Sequence, residues 1–136
     1  MANEHTLIIQ TTIPKSFTVA DGVAITKGTV LKLTDPNTAS ASAAANDTVA
    51  GIAYTDKIAS NGITQLAVVT GPGDEFRAIA SGSITVGDAL VTAIGPTSNY
   101  LASAGLNVSG SAIIGTSRES ATVGETFRYV LNIGGR

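Results

Sequence analysis

A fifteen-residue framework occurs twice in this chain. Phe17-Thr-Val-Ala-Asp-Gly22-Val-Ala-Ile25-Thr26-Lys-Gly28-Thr-Val-Leu31 returns 59 positions later as Phe76-Arg-Ala-Ile-Ala-Ser-Gly82-Ser-Ile84-Thr85-Val-Gly87-Asp-Ala-Leu90, with Phe17/Phe76, Ile25/Ile84, Thr26/Thr85, Gly28/Gly87 and Leu31/Leu90 in step and no gap. Self-similarity of this kind predicts one supersecondary unit used twice in one fold. Gly28 and Gly87 are structural turn glycines in this reading. Each is expected at positive φ, after a strand residue at Ile25 or Ile84 and before the strand that starts at Leu31 or Leu90. Weaker echoes follow: Leu101-Ala-Ser-Ala104 resembles Ser40-Ala-Ser-Ala43, Ile113-Ile-Gly115 resembles Val49-Ala-Gly51, and Ala121-Thr-Val-Gly124-Glu-Thr126 resembles Ala59-Ser-Asn-Gly62-Ile-Thr64. Their offsets of 61, 64 and 62 place small insertions between the matches, where turns tolerate them.

The apolar pattern within each copy alternates with period two. Leu31 and Leu33 share one face with Lys32 on the other, Leu66 pairs with Val68, and Phe127, Tyr129, Leu131 and Ile133 oppose Arg128, Val130 and Asn132. Thr34-Asp35-Pro36-Asn37 and Asn61-Gly62 carry turn chemistry. The alanine-rich 38–45 is compatible with helix or extended chain, and its alternation with Ser40 and Ser42 favours extended. Gly51, inside an apolar run, marks a bulge or a close backbone approach. The expected fold is all-β, a small barrel or sandwich built from two pseudo-repeated β units, about 17–70 and 76–133. Residues 17–136 form a single β domain in this reading, since Gly71-Pro-Gly-Asp-Glu75 is too short a joint for two independent ones. Residues 1–16 precede the first copy as an N-terminal arm, an extended arm or edge strand; a fraying terminus is the alternative. Phe76 and Phe127 are expected in the core, each contributing about 1.5–3 kcal/mol when buried.

Composition narrows the function classes. Only 13% of the 136 residues are charged, the net charge is -2, and the eight Lys/Arg are spread along the chain without a cluster, which gives no footprint for a phosphate backbone. No nucleic-acid partner is expected. There is no cysteine, so disulfides and thiolate metal sites are excluded, and stability must come from packing, backbone pairing or association. The start lacks a basic segment and its longest apolar run is Leu7-Ile8-Ile9, so no signal peptide or membrane span is expected. Asn46-Asp-Thr48 and Asn107-Val-Ser109 match the glycosylation sequon, but without a secretion signal they are read as products of a Ser/Thr/Asn-rich composition.

No pattern of reaction chemistry stands out. The single histidine, His5, falls in the arm and is expected to be solvated. With no cysteine nucleophile and no serine and acid near it in sequence, neither a Ser-His-Asp nor a Cys-His arrangement is indicated. Gly115-Thr-Ser117-Arg-Glu119 lacks the final glycine of a nucleophile elbow. Asp74-Glu75 is the only adjacent acid pair and is expected at a solvated turn. Asp35-Pro-Asn37 is followed by Ala39 and Ala41 where a calcium loop would continue with oxygen ligands. Gly82-Ser-Ile-Thr-Val-Gly87 has phosphate-loop spacing, but Asp88-Ala89 replaces Lys-Ser/Thr and would repel an anion. Neither a cofactor nor a metal is called for, and no catalytic residue is assigned.

The arm, the Ile84-Thr-Val-Gly-Asp-Ala-Leu-Val91 unit and the Val49-Ala-Gly-Ile-Ala53 strand together resemble the head decoration proteins of tailed phages, also called capsid cement proteins. The resemblance covers most of 17–133 through short aliphatic and glycine motifs. It implies a non-enzymatic virion protein, assembled in the host cytoplasm, that binds the outer capsid surface of an expanded icosahedral head, as a homotrimer, and stabilises contacts between major capsid protein subunits. It further implies that the arm takes part in capsid contact, with Leu7, Ile8, Ile9 and Ile13 as contact candidates, the first three able to add strand pairing to a capsid edge. The alternative is a β-module of a phage tail fibre or baseplate. A small hydrolase or carbohydrate-binding barrel is disfavoured by the absence of tryptophan and by the scattered acids.

Overall fold

The computed structural model describes residues 4–42, 44–93, 99–104 and 110–134. These residues form β1 (Thr6–Ile9), β2 (Lys15–Thr18), β3 (Val30–Asp35), β4 (Thr38–Ala41), β5 (Val49–Ala53), β6 (Gln65–Val69), β7 (Glu75–Ile79), β8 (Ala89–Thr92), β9 (Leu101–Ser103), β10 (Gly115–Ser117) and β11 (Thr126–Leu131), with one 3-10 turn at Gly110–Ala112. The fold is all-β. Of the alanine-rich 38–45, Thr38–Ala41 is extended as β4, Ala44 and Ala45 lie in a bend and turn, and residue 43 is outside the described residues; Pro36 and Asn37 turn β3 into β4.

Strands β2-β4-β3-β5-β6 form a closed barrel, and the rest form a six-stranded sheet in the order β1-β7-β11-β10-β8-β9. With β1 set aside, that sheet repeats the barrel's order, β7 standing for β2, β11 for β6, β10 for β5, β8 for β3 and β9 for β4. The bonds agree. Gly28 N donates to Ala53 O at 2.9 Å and Gly87 N to Ser117 O at 2.9 Å. Isolated bridges Ile25↔Lys57 and Ile84↔Ala121 occupy matching places. Lys27 N donates to Asp56 Oδ1 at 2.6 Å, and Val86 N to Ser120 Oγ at 3.0 Å.

One match of the gapless repeat is corrected by strand register. Phe17 lies opposite Leu66, whereas its counterpart opposite Phe127 is Ala78; Phe76 lies opposite Tyr129, in the place that Lys15 has opposite Val68. Eight positions separate Phe17 from Ile25 and six separate Ala78 from Ile84, so this connection is two residues shorter in the second copy. Loop length costs little free energy, and the identical aromatics concealed the difference.

The two units differ in how they close. In the first, β2 pairs antiparallel with β6 along its length and meets β4 in parallel at Thr18↔Thr38. In the second, the corresponding contact is a single parallel bridge, Ala80↔Leu101. The fillings also differ in volume. Inside the first barrel stand Ala39, Ala50, Leu66 and Val68; the matching positions of the second hold Leu101, Ile114, Phe127 and Tyr129. The second unit also carries an added strand at the end of its sheet, β1, which pairs antiparallel with β7 through Thr6↔Arg77, Leu7↔Phe76 and Ile9↔Glu75.

The units pack through a shared core. Val30, Val49, Ile52 and Val69 of the first unit belong to the same buried cluster as Phe76, Tyr129 and Leu131 of the second. Strand β5 faces both ways because it is bulged: Lys32 pairs with Val49 and Leu31 with Gly51, skipping Ala50. Val49 and Ile52 therefore join the shared cluster while Ala50 and Ala53 line the first barrel. At Gly51 a Cβ would collide with the Val69 carbonyl, and at its counterpart Gly115 with the Val130 carbonyl. Gly51 thus marks both a bulge and a close approach. Gly115→Ala is expected to cost about 1–3 kcal/mol by forcing β10 from β11. Gly82→Ala, with open space around the new methyl, should stay within about 0.5 kcal/mol of the parent; urea midpoints measured on the two variants check this contrast.

Candidate functional site: the N-terminal arm at the barrel seam

The arm is held by three sets of contacts. The first is apolar: Leu7 is half-buried and packs against the shared core. Ile8, at an irregularity in the β1–β7 pairing, is half-buried; Ile9 is 41% exposed and Ile13, beyond the strand, 87% exposed. Of the four apolar residues singled out in the arm, Leu7 is thus directed into the chain's own core, and Ile9 and Ile13 remain open to solvent.

The second is a buried polar clasp. His5 is not solvated: it is 4% exposed, with its ring between the two units. Nε2 lies 2.7 Å from the Asn99 carbonyl and Nδ1 lies 2.6 Å from the Tyr129 hydroxyl. A carbonyl can only accept, so Nε2 carries the proton, and Nδ1 accepts from the tyrosine. The rings meet edge to face, with centroids 5.4 Å apart. Asn99 extends the clasp, since its Oδ1 accepts from Val30 N at 3.0 Å. Gly28 completes it: His5 N donates to Gly28 O at 2.8 Å, and the glycine packs so closely on the arm that a Cβ would collide with the His5 carbonyl. The expectation for His5 failed because sequence proximity placed it in an arm, whereas its partner Tyr129 is 124 residues away.

The third set anchors the far end of the arm. Asp74 is fully buried, a correction to its expected place at a solvated turn. Oδ1 accepts from Thr11 N at 2.5 Å, Thr11 Oγ1 at 2.7 Å and Thr12 N at 3.1 Å, and Oδ2 accepts from Thr12 Oγ1 at 2.7 Å. Burial alone would raise its pKa, but these bonds from Thr11 and Thr12 outweigh it and hold the carboxyl below its ordinary value.

Gly28 and Gly87 have φ of +90° and +92°. Their environments differ, because Gly28 is covered by the arm while nothing stands within 4 Å of a Cβ at Gly87. The phosphate-like loop closes on itself: Asp88 Oδ2 accepts from Thr85 N at 2.9 Å, so a carboxylate already occupies the turn. Ser117 is buried and donates to Glu119 O at 2.5 Å. Of the sequon asparagines, Asn46 lies in a turn at φ 60°, and Asn107 is outside the described residues. The cavity bordered by His5, Lys27, Tyr54 and Phe76 measures about 10 Å³, room for about one water. Among the described residues no three His, Cys, Asp or Glu come together as a metal site, and no helix is long and apolar enough to cross a membrane.

No protein-family profile matches the chain, and no curated protein does. Among solved structures it is similar to the crystal structure of the N base of head fiber gp8.5 in bacteriophage phi29, at 21% identity and a TM-score of 0.55, over 87% of this chain and 93% of that one. The two share a fold along nearly their whole lengths.

Burial lowers the His5 pKa from 6.5 to about 4, against a smaller opposite effect of the Asn99 carbonyl. As pH falls below 6.5 the unfolded chain takes up a proton that the folded chain refuses, so stability declines from pH 6.5 to about 4, by about 3 kcal/mol in total. The Asp74 contribution is lost only as pH falls further, through the pKa range of carboxylates. Denaturant titrations across pH should show the upper limb of this decline in the parent and its absence in His5→Gln. A second expectation concerns the turn glycines: Gly87→Ala should cost about 1–2 kcal/mol through φ alone. Gly28→Ala should cost more and, unlike Gly87→Ala, should expose the arm to limited proteolysis.

Proposed function

We propose that this chain is a structural protein of a tailed-phage head, bound as a homotrimer to the outer surface of the expanded icosahedral shell, where it reinforces contacts between major capsid subunits and catalyses no reaction. The observation that carries this reading is the fold shared with a head-fibre base over 87% of this chain and 93% of the other. The arrangement suits the role. A protein that binds the assembled shell and not its separated subunits shifts the equilibrium toward the shell by mass action. The chain offers Ile9, Ile13 and the outer edge of β1, the terminal strand of its sheet, for strand addition to a capsid edge. Leu7 and the inner edge of β1 are already committed to β7.

A second reading is that the chain is the base of a fibre, favoured by the same structural neighbour, itself a fibre base. Placement in a tail fibre or baseplate is a third. Cryo-electron microscopy of particles carrying the chain separates them: compact density on the head surface supports reinforcement, a projecting stalk supports a head fibre, and density at the tail supports the last.

Purified chain mixed with undecorated expanded heads should bind saturably, and absence of saturable binding overturns the reading. Ile9→Asp with Ile13→Asp should weaken head binding by about tenfold or more while leaving thermal stability close to the parent, because both side chains are exposed.

A further inference from the structure

Three of the cations scattered along the sequence come together in space. Arg77 on β7 lies directly opposite Arg128 on β11. On the other side of Arg128, Arg118 N donates to Arg128 O at 2.9 Å, just beyond the β10–β11 pairs Ser117↔Tyr129 and Thr116↔Val130. Three of the chain's eight Lys/Arg thus stand in one row across β7, β11 and the residue that follows β10. Arg77 and Arg118 are exposed and Arg128 is half-buried, while their chain neighbours Phe76, Ser117 and Tyr129 are buried. Adjacent strands are about 4.8 Å apart, so the row is about 10 Å long.

This arrangement opposes folding, because like charges directly across a strand pair destabilise it. Internal neutralisation is partial. Glu75 Oε1 pairs with Arg128 Nη2 at 3.0 Å, whereas Arg77 and Arg118 are exposed and form no ion pair among the described residues. We propose that the Arg77–Arg128–Arg118 row is a docking face for an acidic segment of another protein, whose carboxylates seat in the guanidinium forks. Guanidinium presents paired donors that match a carboxylate bidentately. Successive same-face residues of an extended strand are about 6.7 Å apart, which lets two carboxylates reach neighbouring members of the row. Acids interleaved with the row argue for a protein and against a nucleic acid: Glu75 sits on Arg128, and Glu119 accepts from Arg128 N at 2.9 Å. Three arginines against these two glutamates leave a net charge of only +1, too little for a phosphate backbone but suited to a mixed protein surface.

The proposal goes beyond the reading as a head protein and can fail without it. The test measures binding of a labelled polyglutamate peptide, and of an oligothymidylate of equal charge, to the full chain at low salt. The peptide is expected to bind more tightly than the oligonucleotide. Arg77→Gln with Arg118→Gln should weaken peptide binding by about tenfold, while the charge-matched Lys15→Gln with Lys32→Gln should leave it unchanged. The arginine double variant should also melt at the same temperature as the parent or higher, which separates a docking role from a structural one. The proposal is overturned if the peptide does not bind, if both double variants lose binding equally, if the oligonucleotide binds more tightly, or if the arginine variant melts lower.

Discussion

A β-strand without a neighbour leaves a row of backbone donors and acceptors to be satisfied, and the two copies of the barrel meet this requirement differently. The first copy closes on itself through β2, β4 and β6. The second is filled by Phe127, Tyr129, Leu101 and Ile114, and its β7 takes β1 as a neighbour. The remaining features of the arm follow from that choice. Leu7 enters the shared core, Gly28 must lack a side chain so that the His5 backbone can lie against it, and Asp74 holds Thr11 and Thr12 where the chain passes on toward the first barrel.

The clasp around His5 shows how a costly group is kept inside. A buried imidazole is tolerated because both nitrogens are bonded, one to a carbonyl and one to a hydroxyl, and because it is held neutral. The arrangement joins four separated parts of the chain, namely the arm, the Gly28 turn, the segment at Asn99 and the Tyr129 strand. Polar groups of this sort specify a position more sharply than an apolar contact does, because only one geometry satisfies all of them.

Much of the fold was legible in the sequence because it rests on local chemistry. Period-two alternation located β3, β6 and β11, and the recurrent glycines reflect a backbone shape that side chains would obstruct, through φ at Gly28 and Gly87 and through close approach at Gly51 and Gly115. What was illegible depends on register and closure, which bring distant residues together. Phe17 and Phe76 looked equivalent because a two-residue difference in loop length sits between conserved spacings within the chain. His5 and Asp74 looked solvated because their partners, Tyr129 for one and Thr11 and Thr12 for the other, lie far away in sequence. Arg77, Arg118 and Arg128 looked dispersed, and only the pairing of β7, β11 and β10 aligns them.

The position of β1 also bears on the order in which the molecule is made. Synthesis runs from the N-terminus, so the strands of the first barrel, all within 15–69, are complete before those of the second. The arm is made before the first barrel, yet β1 must wait for β7, and His5 must wait for Tyr129, 124 residues later. Contacts of such long range form slowly, because the intervening chain must be brought together first. During that interval a nascent chain carries a finished barrel and a free apolar strand, and the arrival of β11 at the C-terminal end is what turns that loose strand into part of the fold.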